Sequence, residues 1–136
     1  MEIKDALDFL RANHKSVLIT FKQDGSIQPS PVNHGVDSSG RVAISSREPA
    51  FKVRNLRRDQ RATLCAFTDN FYGPWVSIEG TVEIISLPDA MEPLVDLYRQ
   101  IQGEHPDWED YRAAMVRDQR LIIAITPTSA GPDQHR

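Results

Sequence analysis

Apolar and polar positions alternate along this chain in two rhythms. In the opening segment Ile3, Ala6, Leu7 and Leu10 recur at helical spacing with charges between them, which predicts a short amphipathic helix. The period then drops to two. "SVLITF" (16–21) reads as a β-branched strand, Asp24–Gly25 as a hairpin turn and "SIQPSPVNHGV" (26–36) as a second strand. Pro29 and Pro31 cannot donate to a ladder, so the second strand belongs at a sheet edge or carries a bulge. "DSSG" (37–40) turns the chain into a third strand, "RVAISS" (41–46). A helix is expected from Pro49 onward, since proline is tolerated in a first turn. Ala50, Val53 and Leu56 form its inward stripe, Arg54 and Arg58 project outward, and Lys52 and Asn55 flank the stripe.

Further along, "RATLCAFT" (61–68) and "WVSIEGTVEII" (75–85) are strand patterns separated by the turn "DNFYGP" (69–74). Gly80, in the middle of the longer one, marks a bulge or a close backbone approach. Two helices follow. The first has Ser86 near its start and Pro88 in its first turn, and it carries Leu94, Leu97, Tyr98 and Ile101 on one stripe. The second follows Pro106, with Asp107 as N-cap and Trp108, Tyr111 and Met115 on one face. "RLIIAITPT" (120–128) supplies a sixth strand, and 129–136 are expected to fray. Six short strands joined mostly by tight turns fit one domain over 1–136, a mainly β antiparallel barrel with peripheral helices. The βαβ alternation that a parallel sheet requires is missing.

Charge sharpens this picture at one place. The chain of 136 residues has a formal net charge of −3 and a pI near 5.8, which argues against a general nucleic-acid or membrane-surface binder. Yet "REPAFKVRNLRRDQR" (47–61) holds Arg47, Lys52, Arg54, Arg57, Arg58 and Arg61 against Glu48 and Asp59, a local +4. Any attraction for anions is therefore local. Cys65 is the single cysteine and excludes an intrachain disulfide, which favours a reducing, cytoplasmic setting; inside "ATLCAF" it reads as a small buried hydrophobe. The N-terminus mixes charge throughout, unlike a signal peptide, and no apolar run approaches the ~20 residues of a membrane helix.

Three places could carry chemistry. At Ser45, Ser46 and Arg47 a strand passes into a helix start, where free amides and the helix dipole favour an anion, with Lys52 as the best-placed cation. The alternative is a set of solvated surface charges. The proline-broken strand puts Gln28, Ser30 and Val32 on one face and Pro29, Pro31 and Asn33 on the other. It leaves backbone groups that could meet the edge of a flat heterocycle, or it is simply an edge protected from aggregation. Tyr72 and Trp75 flank a Gly-Pro turn, suited to covering a ligand, making a subunit contact or capping the local core. His14, His34, His105 and His135 are scattered, no zinc spacing is present, and G-x-S-x-G, G-x-G-x-x-G and Walker patterns are missing. Catalysis, if present, belongs to a bound cofactor.

The run "GSIQPSPVNHGVDSSGRVAISSREPAFKVRNLRRDQRATL" resembles the split-barrel flavin/deazaflavin oxidoreductases, the superfamily that includes pyridoxamine 5′-phosphate oxidase. "EPAFKVRNLRRDQRA", "IEGTVEI" and "LYRQIQGEHPDWEDYRAAMVRDQR" look like its F420-dependent branch, and the similarity spans about residues 5–127. The last nine or so residues match poorly. This resemblance implies a homodimer of six-stranded split barrels with two cofactor sites at the interface. It implies hydride transfer from reduced F420 to an unsaturated small-molecule substrate, with the local positive charge meeting the phosphodiester and polyglutamate tail. Lys52 matches the phosphate-contacting lysine, and Ser45 and Ser46 the strand end that meets the phosphate. Gln28, Ser30, Pro31 and Asn33 border the ring, and Trp75 is an aromatic contributed across the interface. Ala50 stands where relatives often have an arginine, a place that Arg47 or Arg54 would fill. No residue receives a catalytic role. Two other readings stay open: an FMN-dependent enzyme of the pyridoxamine-phosphate type, and a non-catalytic flavin, deazaflavin or tetrapyrrole binder.

Overall fold

A computed structural model describes residues 1–133. It contains α1 (Ile3–Ala12), β1 (Lys15–Phe21), β2 (Ile27–Asn33), β3 (Gly35–Val36), β4 (Val42–Arg47), α2 (Phe51–Arg58), β5 (Arg61–Phe67), β6 (Trp75–Ile85), α3 (Met91–Gln102), α4 (Trp108–Arg117) and β7 (Arg120–Gly131). All strand pairs are antiparallel, in the order β2-β1-β5-β6-β7-β4-β3.

That order forces the sheet to curl. Strands β2 and β3 lie at opposite edges of the sheet, yet only His34 separates them in the chain. Consecutive Cα atoms are 3.8 Å apart, so the two edges must come together at this residue. The expected second strand (26–36) is therefore two strands, and the sheet has seven rather than six. Side-chain chemistry explains the break. His34 is fully buried; its Nε2–H donates to the Leu10 carbonyl at 3.1 Å, so Nδ1 accepts from the Ser16 hydroxyl at 2.8 Å. Burial holds the ring neutral, with its pKa lowered to about 4. A local alternation pattern cannot reveal a residue pinned by partners 18 and 24 positions away.

The core has two layers, and β7 belongs to both. Leu121, Ile123 and Ile125 point into the curled sheet with Leu18, Ile44, Leu64 and Ile78, under α1 and α2. Ile122 and Ala124 face the other way, against Leu94, Leu97 and Tyr111 of the helical pair. A strand buried on both faces reads as a continuous apolar run, which is why "LIIAI" lacks the alternation of "WVSIEG". Gly80 lies at a register shift between β6 and β7, where a Cβ would collide with the Thr126 carbonyl; bulge and close approach coincide there.

Two boundaries differ from expectation. Pro88 lies before α3, which begins at Met91, after a cis Leu87–Pro88 bond. Strand β7 continues to Gly131, because Ser129, Ala130 and Gly131 pair with Glu79, Ile78 and Ser77, so the expected fraying does not begin at 129. The rest of that expected tail, 134–136, lies outside the described residues. Asp107 caps α4 as expected, accepting from the Asp110 amide at 3.1 Å. No helix among the described residues is long and apolar enough to cross a membrane.

Candidate functional site

Strand β4 alternates like its neighbours. Val42, Ile44 and Ser46 face the interior, and Ser46 is buried; Ala43, Ser45 and Arg47 face the side covered by α3 and α4. The chain then turns into α2 with Ala50 extended at its start and no side chain capping its first amides. Val53, Asn55 and Leu56 hold α2 down, which leaves Lys52 at the margin. Asn55 fixes the helix to the sheet: its Nδ2 donates to Thr20 Oγ1 at 3.1 Å and to Gln28 Oε1 at 2.9 Å.

Between this junction, β2 and the helical pair lies a cavity of about 400 Å³, within the usual range for small-ligand sites. Ser45, Lys52 and Arg120 line one part, Pro31 and Asn33 another, and Leu94, Tyr98, Ile101, Tyr111 and Met115 form the helical wall. Its lining contains no Asp or Glu. Neither Lys52 nor Arg120 has a carboxylate partner among the described residues. Burial, and then the nearby charge of Arg120, lower the pKa of Lys52. Two unneutralised cations sharing a half-enclosed space favour a negative charge there.

The β2 edge adds a second feature. Its terminal backbone bonds join Lys22 to Ser26 and His34 to His14, so even-numbered β2 residues bond to β1 and odd-numbered ones face outward. The outward residues include Pro29 and Pro31, which present carbonyls without N–H groups. Such an edge cannot extend a sheet, but it can accept hydrogen bonds from a heterocycle.

The residues named from sequence separate into two groups. Pro31, Asn33, Ser45 and Lys52 meet at the cavity. Gln28 is engaged by Asn55, and Ser30, on the same inward face of β2, carries a buried hydroxyl without a partner among the described residues. Ser46 points into the curled sheet, Arg47 donates to the Asp118 carbonyl at 3.4 Å, and Arg54 sits over the exposed Phe51 ring at 5.6 Å. Trp75 starts β6 opposite Phe67 and is not among the cavity's lining residues. Arg120 was missed in the sequence. It pairs in register with Arg47, a juxtaposition of β4 and β7 that only the folded sheet creates. Tyr98, Tyr111 and Met115 were visible as helical stripes, but not as the wall of a site.

Residues 3–131 match the model of the pyridoxamine 5′-phosphate oxidase family. The chain belongs to that family. Solved structures share the split-barrel fold of this family. A conserved hypothetical protein of Mycobacterium tuberculosis superposes with a TM-score of 0.76 at 22% identity, covering 96% of this chain and 82% of the other. An F420 reductase gives 0.70 at 20% identity, covering 91% and 94%. The heme storage protein of Vibrio cholerae gives 0.69 at 11% identity, covering 96% and 94%. The fold is thus that of the pyridoxamine 5′-phosphate oxidase family, and the F420 reductase and the heme storage protein share it.

Proposed function

We propose that the cavity binds coenzyme F420 and that the chain is an F420-dependent reductase of an electron-poor, unsaturated small molecule. The observation that carries this reading is the pair Lys52 and Arg120 in an acid-free cavity beside the uncapped start of α2. The donor set suits a phosphate: two cations, the Ser45 hydroxyl and the first-turn amides of Phe51 and Lys52. The carbonyl-only stretch of β2 suits the N–H edge of a flat ring, and Leu94, Leu97, Ile101 and Met115 would keep water from it. When bound, the group supplies hydride transfer; the protein's part is to hold ring and substrate in register.

A polyglutamate tail would meet Arg54 and Arg47, which have no carboxylate partners among the described residues; both lie on the exposed side of the junction. The same reading makes the active species a cytoplasmic homodimer with cofactor sites at its interface. Phe51, Phe71 and Tyr72, exposed by 68%, 78% and 93%, supply apolar surface for such an interface. Titration of the pure protein with F420 and FMN side by side, repeated with shortened polyglutamate forms, tests the assignment. Tighter binding of F420, weakening as glutamates are removed, is the expected result. Equal or tighter binding of FMN would replace this reading with that of an FMN enzyme.

A further inference from the structure

Two tyrosines line the cavity, and they are in different states. The Tyr111 hydroxyl is committed: it donates to the Leu94 carbonyl at 3.0 Å and ties α4 to α3. Among the described residues the Tyr98 hydroxyl has no hydrogen-bond partner, although its ring is tightly held. Ring centroids of His105, Trp108 and Tyr111 lie 5.1, 5.7 and 5.0 Å from that of Tyr98. Trp108 is in turn fixed by Glu104, which accepts from its indole N–H at 3.0 Å, and by Arg99, 4.7 Å from its ring. Three neighbouring rings thus restrain the orientation of one phenol, yet none of them uses its proton. Such an arrangement suits a group that must keep a donor aimed at a ligand.

We propose that Tyr98 is the general acid of the site. The inference rests on the reductase reading above. Hydride addition to one carbon of an activated C=C bond breaks its π bond and moves the electron pair onto the neighbouring carbon and its electron-withdrawing group. Tyr98 Oη–H then protonates that neighbouring carbon. The cofactor loses two electrons with the hydride, the substrate gains them, and solvent returns a proton to the phenolate. The charged and titratable groups around Tyr98 are Lys52 on α2 and Arg120 on β7, which share its cavity and are reserved for the cofactor phosphate, and His105 before α4 and Tyr111 on α4, which contact its ring.

Tyr98→Phe tests this with little risk to folding, because the ring remains and no intramolecular hydrogen bond is removed. Three readings are taken on wild type and variant. Fluorescence titration should show F420 affinity unchanged within about twofold, as expected for a hydroxyl that does not bind the cofactor. Stopped-flow reoxidation of F420H2 by 2-cyclohexen-1-one should slow at least ~100-fold, the usual contribution of a positioned proton donor. The F420-loaded protein should also lose about tenfold in affinity for 4-nitrophenolate, an enolate mimic followed by its absorbance, as expected for one lost hydrogen bond to a charged oxygen. An unchanged reoxidation rate or an unchanged nitrophenolate affinity overturns the role of Tyr98. Failure of both proteins to bind F420 overturns the underlying reading instead, and the fluorescence titration alone separates the two cases.

Discussion

The two ends of α2 carry similar numbers of positive charges and have different electrostatics. At the N-terminal end Lys52 faces Arg120 across a cavity without carboxylates. Toward the C-terminal end Arg57 pairs with Glu48 at 2.7 Å, Arg61 with Asp59 at 2.7 Å, and Arg58 donates to the Phe21 carbonyl and to Asn55. Both acids of the basic stretch are thus used on the half that is farther from the site in sequence. The local +4 remains on Arg47, Lys52, Arg54 and Arg58, which have no carboxylate partner among the described residues; Arg58 is tied down by neutral acceptors, and the other three lie toward the site. A count of charges therefore overstates the anion-binding face, and pairing decides where the field is. This narrows the expected tail groove to one end of the helix.

The sharpest way to break the comparison is to delete one cation from each end. Lys52→Ala removes a charge-assisted contact of about 1.5–3 kcal/mol, so F420 affinity should fall roughly ten- to a hundredfold in fluorescence titrations. The paired Arg57→Ala should change it by no more than about twofold, because Arg57 already spends its charge on Glu48. Similar losses from the two variants would mean that the helix acts as a diffuse basic surface and that the cavity has no special standing.

The next effect concerns the residue between the two ends. Asn55 joins α2 to Thr20 and Gln28 and accepts from Arg58 at 3.1 Å. Asn55→Leu keeps the bulk but strips partners from buried polar atoms, so unfolding in denaturant should show a loss of about 1–3 kcal/mol. Because Lys52 is placed by this helix, cofactor affinity should fall with it. Full stability in the variant would show that packing of Val53 and Leu56 alone positions α2.

Local physics explains which of these features were legible in the sequence. The α1 stripe, the Asp24–Gly25 turn, the Asp107 cap and the Gly80 bulge all follow from residues within a few positions of one another. The antiparallel curled sheet followed from strand spacing, and Pro29 and Pro31 placed β2 correctly at an edge. The missing pieces are long-range. Nothing near His34 announces that Ser16 and Leu10 will hold it and divide one strand into two. Nothing near Arg120 announces that β7 will lie beside β4 and bring it to Lys52. The pairing of Arg57 with Glu48 was equally hidden, since it spans the turn into α2 and depends on where that helix begins. Pro88 misled because a proline before a helix and one in its first turn look alike in sequence.

A subtler measurement asks whether Lys52 and Arg120 act as a pair. Burial lowers the pKa of Lys52 most, and the charge of Arg120 lowers it further. An anion needs the protonated amine, so F420 affinity should decline as pH rises through the Lys52 pKa, earlier than for an ordinary lysine. Arg120→Ala removes the repulsion that favours the neutral amine. The variant should bind F420 more weakly at neutral pH, yet its alkaline decline should begin at higher pH than in wild type.

The smallest expected effect is at the far end of α2, where the mostly exposed Arg61 chelates Asp59 and stacks over Phe21 at 4.5 Å. An exposed ion pair is screened by water and salt, so the loss of F420 affinity caused by Arg61→Ala should stay within about twofold and should not change with added salt. Lys52-dependent binding should instead weaken as salt rises, because the partner is a mobile anion exchanging with ions from solution. The contrast between the two salt responses distinguishes a charge held for a ligand from one already neutralised within the fold. A salt-sensitive loss in Arg61→Ala would extend the binding face along the whole helix and return all the arginines of the stretch to the tail.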